Sequence, residues 1–412
     1  MDHLPHHPLL PLGILLLAGS LAGFAANRLR MPRVTGYVVA GVVFSPSVSG
    51  IFAMGQIEML LAIVANMALA VIAFAIGGSL QLANVRALGK PILWITLTQG
   101  LGAMVCAALA LSAASFFYPP LLDHGPAAFF STLLLMGAIS AATAPAAVMA
   151  VVHELRARGP LTTTLLGVVA LDDALTIMIF SGAVSVAGYL LQVGDTDLGL
   201  LHGVWEIGGA LAMGTLGGLA LQYLIPSRQR LEVSMTVVLG AIFLESGTAL
   251  QFGFSPLLAN LCMGFVYVNR RKRSNGLFLQ LETIEEPLYC LFFTLAGAHF
   301  DIALFNVAAL LGITLMLGRF TGKLTGTIVG ARISKAPPVI GKYLGITLLP
   351  KAGLSLALIF LVRPYLPADL YEVLLNGMLA SVIINELVAP PLVKWALGRA
   401  GEIGSGERYE NT

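Results

Sequence analysis

Charge is what this chain has least of: only 11% of its 412 residues are Asp, Glu, Lys or Arg, whereas 57% are hydrophobic. A soluble domain carries roughly 25% charged residues, so this exterior is built for lipid. Cysteine is nearly absent as well. Cys106, Cys262 and Cys290 all lie inside apolar stretches, show neither metal-ligand spacing nor a disulfide framework, and read as reduced packing residues. No basic face with interleaved aromatics is present and the net charge is only +2, which argues against nucleic acid as a partner. Residues 1–11 hold three histidines but no basic n-region, and no small-residue cleavage site follows the first apolar run. That run is expected to stay in place as a true span.

What the chain does have is a succession of apolar stretches of about 20 residues, each long enough to cross roughly 30 Å of hydrocarbon. Divided at charged and Pro/Gly-rich breaks, they give thirteen spans starting near Leu9, Val34, Ile57, Leu88, Phe129, Leu161, Val204, Val233, Ser255, Leu288, Val307, Leu344 and Leu370. Loop charges provide an independent check, because Lys and Arg of short loops stay on the cytoplasmic side. With the N-terminus outside, 19 of the 23 basic residues fall on the inner side, from Arg28, Arg30 and Arg33 through Arg228, Arg230, Arg271, Lys272 and Arg273 to Lys394, Arg399 and Arg408. The outer side carries only Arg363, together with Asp123, Asp195, Asp197 and Asp369. A missed or invented span would switch the side of every later loop. Trp94 and Trp395 read as interfacial anchors, and the histidines, among them His124, His153 and His299, lie mostly at ends and in loops.

The sequence also repeats itself. Phe74-Ala-Ile-Gly-Gly-Ser-Leu-Gln-Leu-Ala at the end of the third span resembles Phe293-Thr-Leu-Ala-Gly-Ala-His-Phe-Asp-Ile at the end of the tenth, and a Pro-interrupted helix recurs at Pro145 in the fifth span and Pro350 in the twelfth. An offset of seven spans is odd, so matched spans run in opposite directions. The expected fold is an all-α polytopic membrane protein of about thirteen transmembrane helices, with two inverted six-helix repeats and two crossing discontinuous helices. The expected division is a first repeat at 1–192, a linker helix (the seventh span) at 193–231, a second repeat at 232–400 and a short cytoplasmic tail at 401–412. Irregular backbone at membrane depth survives only where it is buried or lines a wet cavity.

Chemistry concentrates in few residues. The only ionisable groups between 161 and 191 are the adjacent Asp172 and Asp173. Each costs roughly 2.5–3.5 kcal/mol to insert at that depth. Neighbouring helical residues point about 100° apart, so one carboxylate is free to border a cation path while the other meets a basic partner. Arg319, in the middle of the eleventh span, is the expected partner of Asp172 or Asp173; the competing arrangement sets it on Glu245, Glu386 or backbone carbonyls. Lys351, beside Pro350, either offsets the negative ends of half-helices or reaches to the inner surface. Thr143 and Ser140 flank the first break and offer oxygens to a small hard cation.

These residues resemble the cation:proton antiporter superfamily, in particular its bacterial sodium/proton antiporter branch with two adjacent aspartates. The resemblance rests on Thr35-Gly-Tyr-Val-Val-Ala-Gly, Thr143-Ala-Pro-Ala-Ala-Val, Leu171-Asp-Asp-Ala-Leu, Ser255-Pro-Leu-Leu-Ala-Asn, Gly318-Arg-Phe-Thr-Gly and Leu349-Pro-Lys-Ala-Gly, and covers nearly the whole chain. It implies a transporter rather than an enzyme, with no cofactor, exchanging protons for Na⁺ (or K⁺ or Li⁺) in a bacterial-type inner membrane, and the loop charges set the C-terminus on the cytoplasmic side. It implies Asp173 as the residue that binds both the monovalent cation and the proton, Asp172 as the neighbour that pairs with the basic residue, and a homodimer whose core slides past a scaffold. Three positions depart from the pattern: Ala144 replaces an Asp common after the Thr, Arg319 a Lys, and Pro350-Lys-Ala-Gly a Pro-Arg-Gly-Glu. Because arginine does not deprotonate in proteins, protons are expected to travel on the carboxylates alone. The rival readings are a sodium-coupled symporter of an organic solute and a potassium efflux protein.

Overall fold

The computed structural model describes residues 8–29, 31–192, 200–225, 231–270, 275–351 and 353–403. Arg30, Asp195, Asp197, Arg228, Arg230, Arg271, Lys272, Arg273, Arg408 and most of the tail 401–412 lie outside them, as does the start of the 193–231 linker. Among the described residues there are fifteen α-helices and no strands. They are α1 (Leu9–Arg28), α2 (Arg33–Val43), α3 (Met54–Ser79), α4 (Leu82–Ala114), α5 (Gly125–Ile139), α6 (Pro145–Glu154), α7 (Pro160–Leu191), α8 (Leu200–Leu224), α9 (Leu231–Gln251), α10 (Pro256–Arg270), α11 (Asn275–Ala298), α12 (Phe305–Ile333), α13 (Pro338–Thr347), α14 (Gly353–Leu361) and α15 (Ala368–Arg399). Counting α5/α6 and α13/α14 as one interrupted pass each gives the thirteen expected passes, and seven helices are long and apolar enough to cross a membrane on their own. This is a multi-pass membrane protein.

The chain forms two compact units, each drawing on both halves of the sequence. The first takes in Met1–Ala26, Gly36–Arg86 and Ile177–Asp301. Within it α3 packs on α10 and α11, and α10 packs on α8 and α9, around Val71, Phe74, Leu221, Val238, Met263, Tyr267 and Leu281. The α3–α10 contact is backbone on backbone. A Cβ at Gly77 would lie 2.0 Å from Leu261 O, and one at Gly264 would lie 2.1 Å from Phe74 O. Where lipid offers no hydrophobic drive between helices, such close approach is what holds them together.

The second unit comprises Asn27–Thr35, Ala87–Thr176 and Ile302–Thr412. Its apolar core is built from Val148, Val152, Leu161, Leu165, Val168, Leu344, Leu348, Val393 and Leu397, and α12 packs along α15 and α13. Helix α12 carries Gly318, Gly322, Gly326 and Gly330 at intervals of four, a flat ridge against which α4 lies. A Cβ at Gly322 would sit 2.2 Å from Gly102 O, and one at Gly326 would sit 2.3 Å from Thr98 O. Arg319 and Lys323 each follow one of these glycines, and close packing of α4 places Lys323 beside its Gln99.

Candidate functional site

The residues that build the site belong to the second unit. The two interrupted passes meet at their breaks. Ala144 N–H donates to Pro350 O at 2.9 Å, and the Thr143 hydroxyl donates to Leu348 O at 3.4 Å. Pro145 does not kink a continuous helix; it opens α6, where its missing N–H costs nothing. Pro350 stands in the unwound stretch between α13 and α14. Each break therefore leaves carbonyls at the end of a half-helix without intrahelical donors.

Arg319 supplies those donors. Its Nη1 donates to Leu349 O at 2.6 Å, and its Nη2 donates to Ala142 O at 2.8 Å and to Leu348 O and Pro350 O at 3.3 Å. One fully buried guanidinium thus satisfies carbonyls of both breaks, opposite the negative ends of α5 and α13. The expected pairing of Arg319 with an aspartate is corrected by this geometry. Lys323, one turn further along α12, takes that place: its Nζ lies 3.1 Å from Asp172 Oδ2, with both side chains buried. The same ammonium donates to Thr143 Oγ1 at 2.8 Å and to Gln99 Oε1, while Gln99 Nε2 donates to Asp172 Oδ1. The assignment follows donor shape: a planar fork suits carbonyls arriving from two helix ends, whereas a compact ammonium suits a carboxylate, an amide and a hydroxyl. The argument that protons travel on the carboxylates alone rested on an arginine partner, and the residue that faces Asp172 is a lysine.

Asp172 is thus held on both oxygens, whereas its neighbour is not. Asp173 Oδ1 is buried without a hydrogen-bond partner. Ser140 is fully buried and donates to Met136 O of its own helix at 2.8 Å, which leaves its oxygen free to accept. Lys351 is buried rather than at a surface; its backbone N–H donates to Asn385 Oδ1 at 2.7 Å and its Nζ rests 2.8 Å from Met378 Sδ. The carbonyl ends it was expected to offset are occupied by Arg319. Glu386 on α15 is 3% exposed with neither carboxylate oxygen hydrogen-bonded, and Glu245 lies in the other unit. Gln99, the hinge of the polar network, escapes a search for charges because it is neutral; its signal is a glutamine within the long apolar run of α4.

An acid pair whose Asp172 is buried and salt-bridged beside crossing helix breaks, in a chain of thirteen passes, defines a secondary ion transporter. The particular group follows from comparison with known proteins: residues 13–395 match the transmembrane sodium/hydrogen exchanger family, and the chain belongs to that family. It is a cation/proton antiporter and not an enzyme. Among solved structures, it is similar to the sodium proton antiporter MjNhaP1 from Methanocaldococcus jannaschii at pH 8, with TM-score 0.74, 19% identity and coverage of 96% of this chain and 98% of that one. An electron-microscopy map of the same antiporter matches with TM-score 0.73 and 17% identity over 95% and 97% of the two chains. At such identities the likeness concerns the fold. No curated protein matches the chain.

Proposed function

We propose that the protein exchanges sodium for protons by alternating access, elevator-like, with cation and proton competing for Asp173. The observation that supports this most directly is the contrast within the acid pair: Asp172 is neutralised by Lys323 and hydrogen-bonded by Gln99, whereas Asp173 Oδ1 is buried and unpartnered. A buried carboxylate oxygen without a donor is costly, and either a proton or a small cation relieves that cost. Binding of one therefore expels the other. Ser140 and Thr143 are the proposed oxygen ligands beside it, and Thr143 serves once Lys323 releases its hydroxyl. Arg319, Pro145 and Pro350 act as the frame of the crossing, and Lys351 as a further charge partner at the second break.

We extend the reading to a homodimer in a bacterial-type inner membrane, as the family resemblance implies, with the N-terminus outside, an orientation supported by the one-sided distribution of Lys and Arg. The repeat pattern, with breaks in the fifth and twelfth passes, supports inverted repeats at 1–192 and 232–400 about a linker helix at 193–231. The test uses proteoliposomes loaded with a pH dye and challenged in turn with Na⁺, Li⁺ and K⁺ under a clamped membrane potential. Sodium is expected to drive proton movement in the native protein, and Asp173→Asn is expected to abolish it. Undiminished exchange by that variant would sink the scheme. Sodium uptake that moves no protons would favour the solute symporter.

A further inference from the structure

Helix α7, which carries Asp172 and Asp173, starts without a capping side chain of its own: Gly159 precedes Pro160, where Ser, Thr, Asp or Asn is usual. The cap comes from the far end of the chain. After Arg399, α15 closes in a Schellman turn: Gly401 is left-handed at φ +75°, its N–H donates to Gly398 O at 3.1 Å, and Glu402 N–H donates to Leu397 O at 3.2 Å. That turn delivers the Glu402 side chain to α7. Leu161 N–H donates to Oε1 at 2.7 Å, and the Thr162 N–H and hydroxyl donate to Oε2 at 2.7 and 2.6 Å. Arg158 N–H adds a bond to Glu402 O at 3.2 Å.

Since Pro160 has no N–H and Thr163 N–H already donates to Gly159 O at 2.9 Å, the amides of the first turn are all accounted for. The carboxylate is 5% exposed and sits at the positive end of the helix. Gly159 makes the room for it, because a Cβ there would lie 2.3 Å from Glu402 Cδ.

We propose that Glu402 is a positioning residue for transport: it clamps the first turn of α7 to the end of α15 and thereby sets where Asp172 stands against Lys323. The clamp joins two sides of one frame. α15 packs along α12, which carries Lys323, and Asp172 lies eleven residues beyond Leu161, about 16 Å along α7. Both members of the ion pair are thus referred to α15, one by packing and one by Glu402.

The inference rests on the antiport reading for its assay, which uses proteoliposomes with whichever of Na⁺, Li⁺ or K⁺ drives the native protein. Glu402→Ala is expected to raise the half-saturating cation concentration about tenfold, the scale of a lost helix cap, at nearly unchanged maximal rate per folded protein. A purely structural role would instead lower the maximal rate and leave half-saturation alone. Gly159→Ala, which keeps the carboxylate but crowds it out, is expected to reproduce the shift, and the double variant to add nothing. Glu402→Gln, with one acceptor left, should fall between. Hydrogen exchange of peptides covering the start of α7 reports whether the clamp has opened. Lost protection with unmoved half-saturation overturns the proposal, and so do additive effects of the two single variants. A native protein inactive with every cation sinks the antiport reading itself, whereas an active native protein with unmoved variants sinks the clamp alone.

Discussion

Replacing Gly322 by Ala adds one carbon where the ridge of α12 meets α4. The new Cβ would lie 2.2 Å from Gly102 O and 2.5 Å from Ala103 Cα, and both are backbone atoms that no rotamer change can move aside. Ordinary contact needs about 3.5 Å, so the helices must part by about 1 Å. Overpacking of this kind costs about 1–3 kcal/mol, which a thermal melt in detergent reads as a loss of several degrees. The functional cost is larger than the thermal one. Gln99 reaches both Lys323 and Asp172 from α4, and drawing it back by the same distance breaks the bridge that holds the pair. Misplacement by about 1 Å is worth as much as a hundredfold in rate, so exchange in dye-loaded proteoliposomes should nearly vanish in protein that is still folded. Gly240→Ala is the matched control: nothing lies within 4 Å of its Cβ position, and removing a helical glycine should stabilise by about 0.5–1 kcal/mol. Native rate and native melting temperature in Gly322→Ala would refute the reasoning.

Lys323→Met strands Asp172 and should cost about 3–5 kcal/mol, seen as a sharply lower melting temperature, while adding Asp172→Asn removes the stranded charge and should recover much of it. If the double variant melts no higher than the single, the ion pair is not what Lys323 is for. Arg319→Ala frees carbonyls of both breaks at once, each charge-assisted bond being worth about 1.5–3 kcal/mol, and is expected to empty the folded peak in gel filtration. Arg319→Lys keeps the charge but cannot span the two breaks, so it should recover only part of that peak; full recovery would show that charge alone suffices.

The passes were legible because hydrophobic length and the side of each basic loop are one-dimensional properties. The same holds for the breaks at Pro145 and Pro350, which proline chemistry announces. Which cation meets Asp172 was not, because Arg319 and Lys323 stand four apart on one helix face and only the position of the crossing carbonyls separates their tasks. The glycine ridge from Gly318 to Gly330 was open to reading at its four-residue spacing, and with it the depth to which α4 and Gln99 would sink. Glu402 had no local sign at all. Its partners lie some 240 residues earlier, and a glutamate three residues after a helix end looks like any solvated charge.

The guanidinium of Arg319 works as a pin driven through two leaves. Because it takes carbonyls from both interrupted passes, neither leaf can swing away without stripping the pin bare in an interior that offers no water to replace it. The crossing is therefore closed as a gate. In the exchange proposed above, an ion at Asp173 is released not by the breaks opening but by the whole crossing, still pinned, moving as one piece.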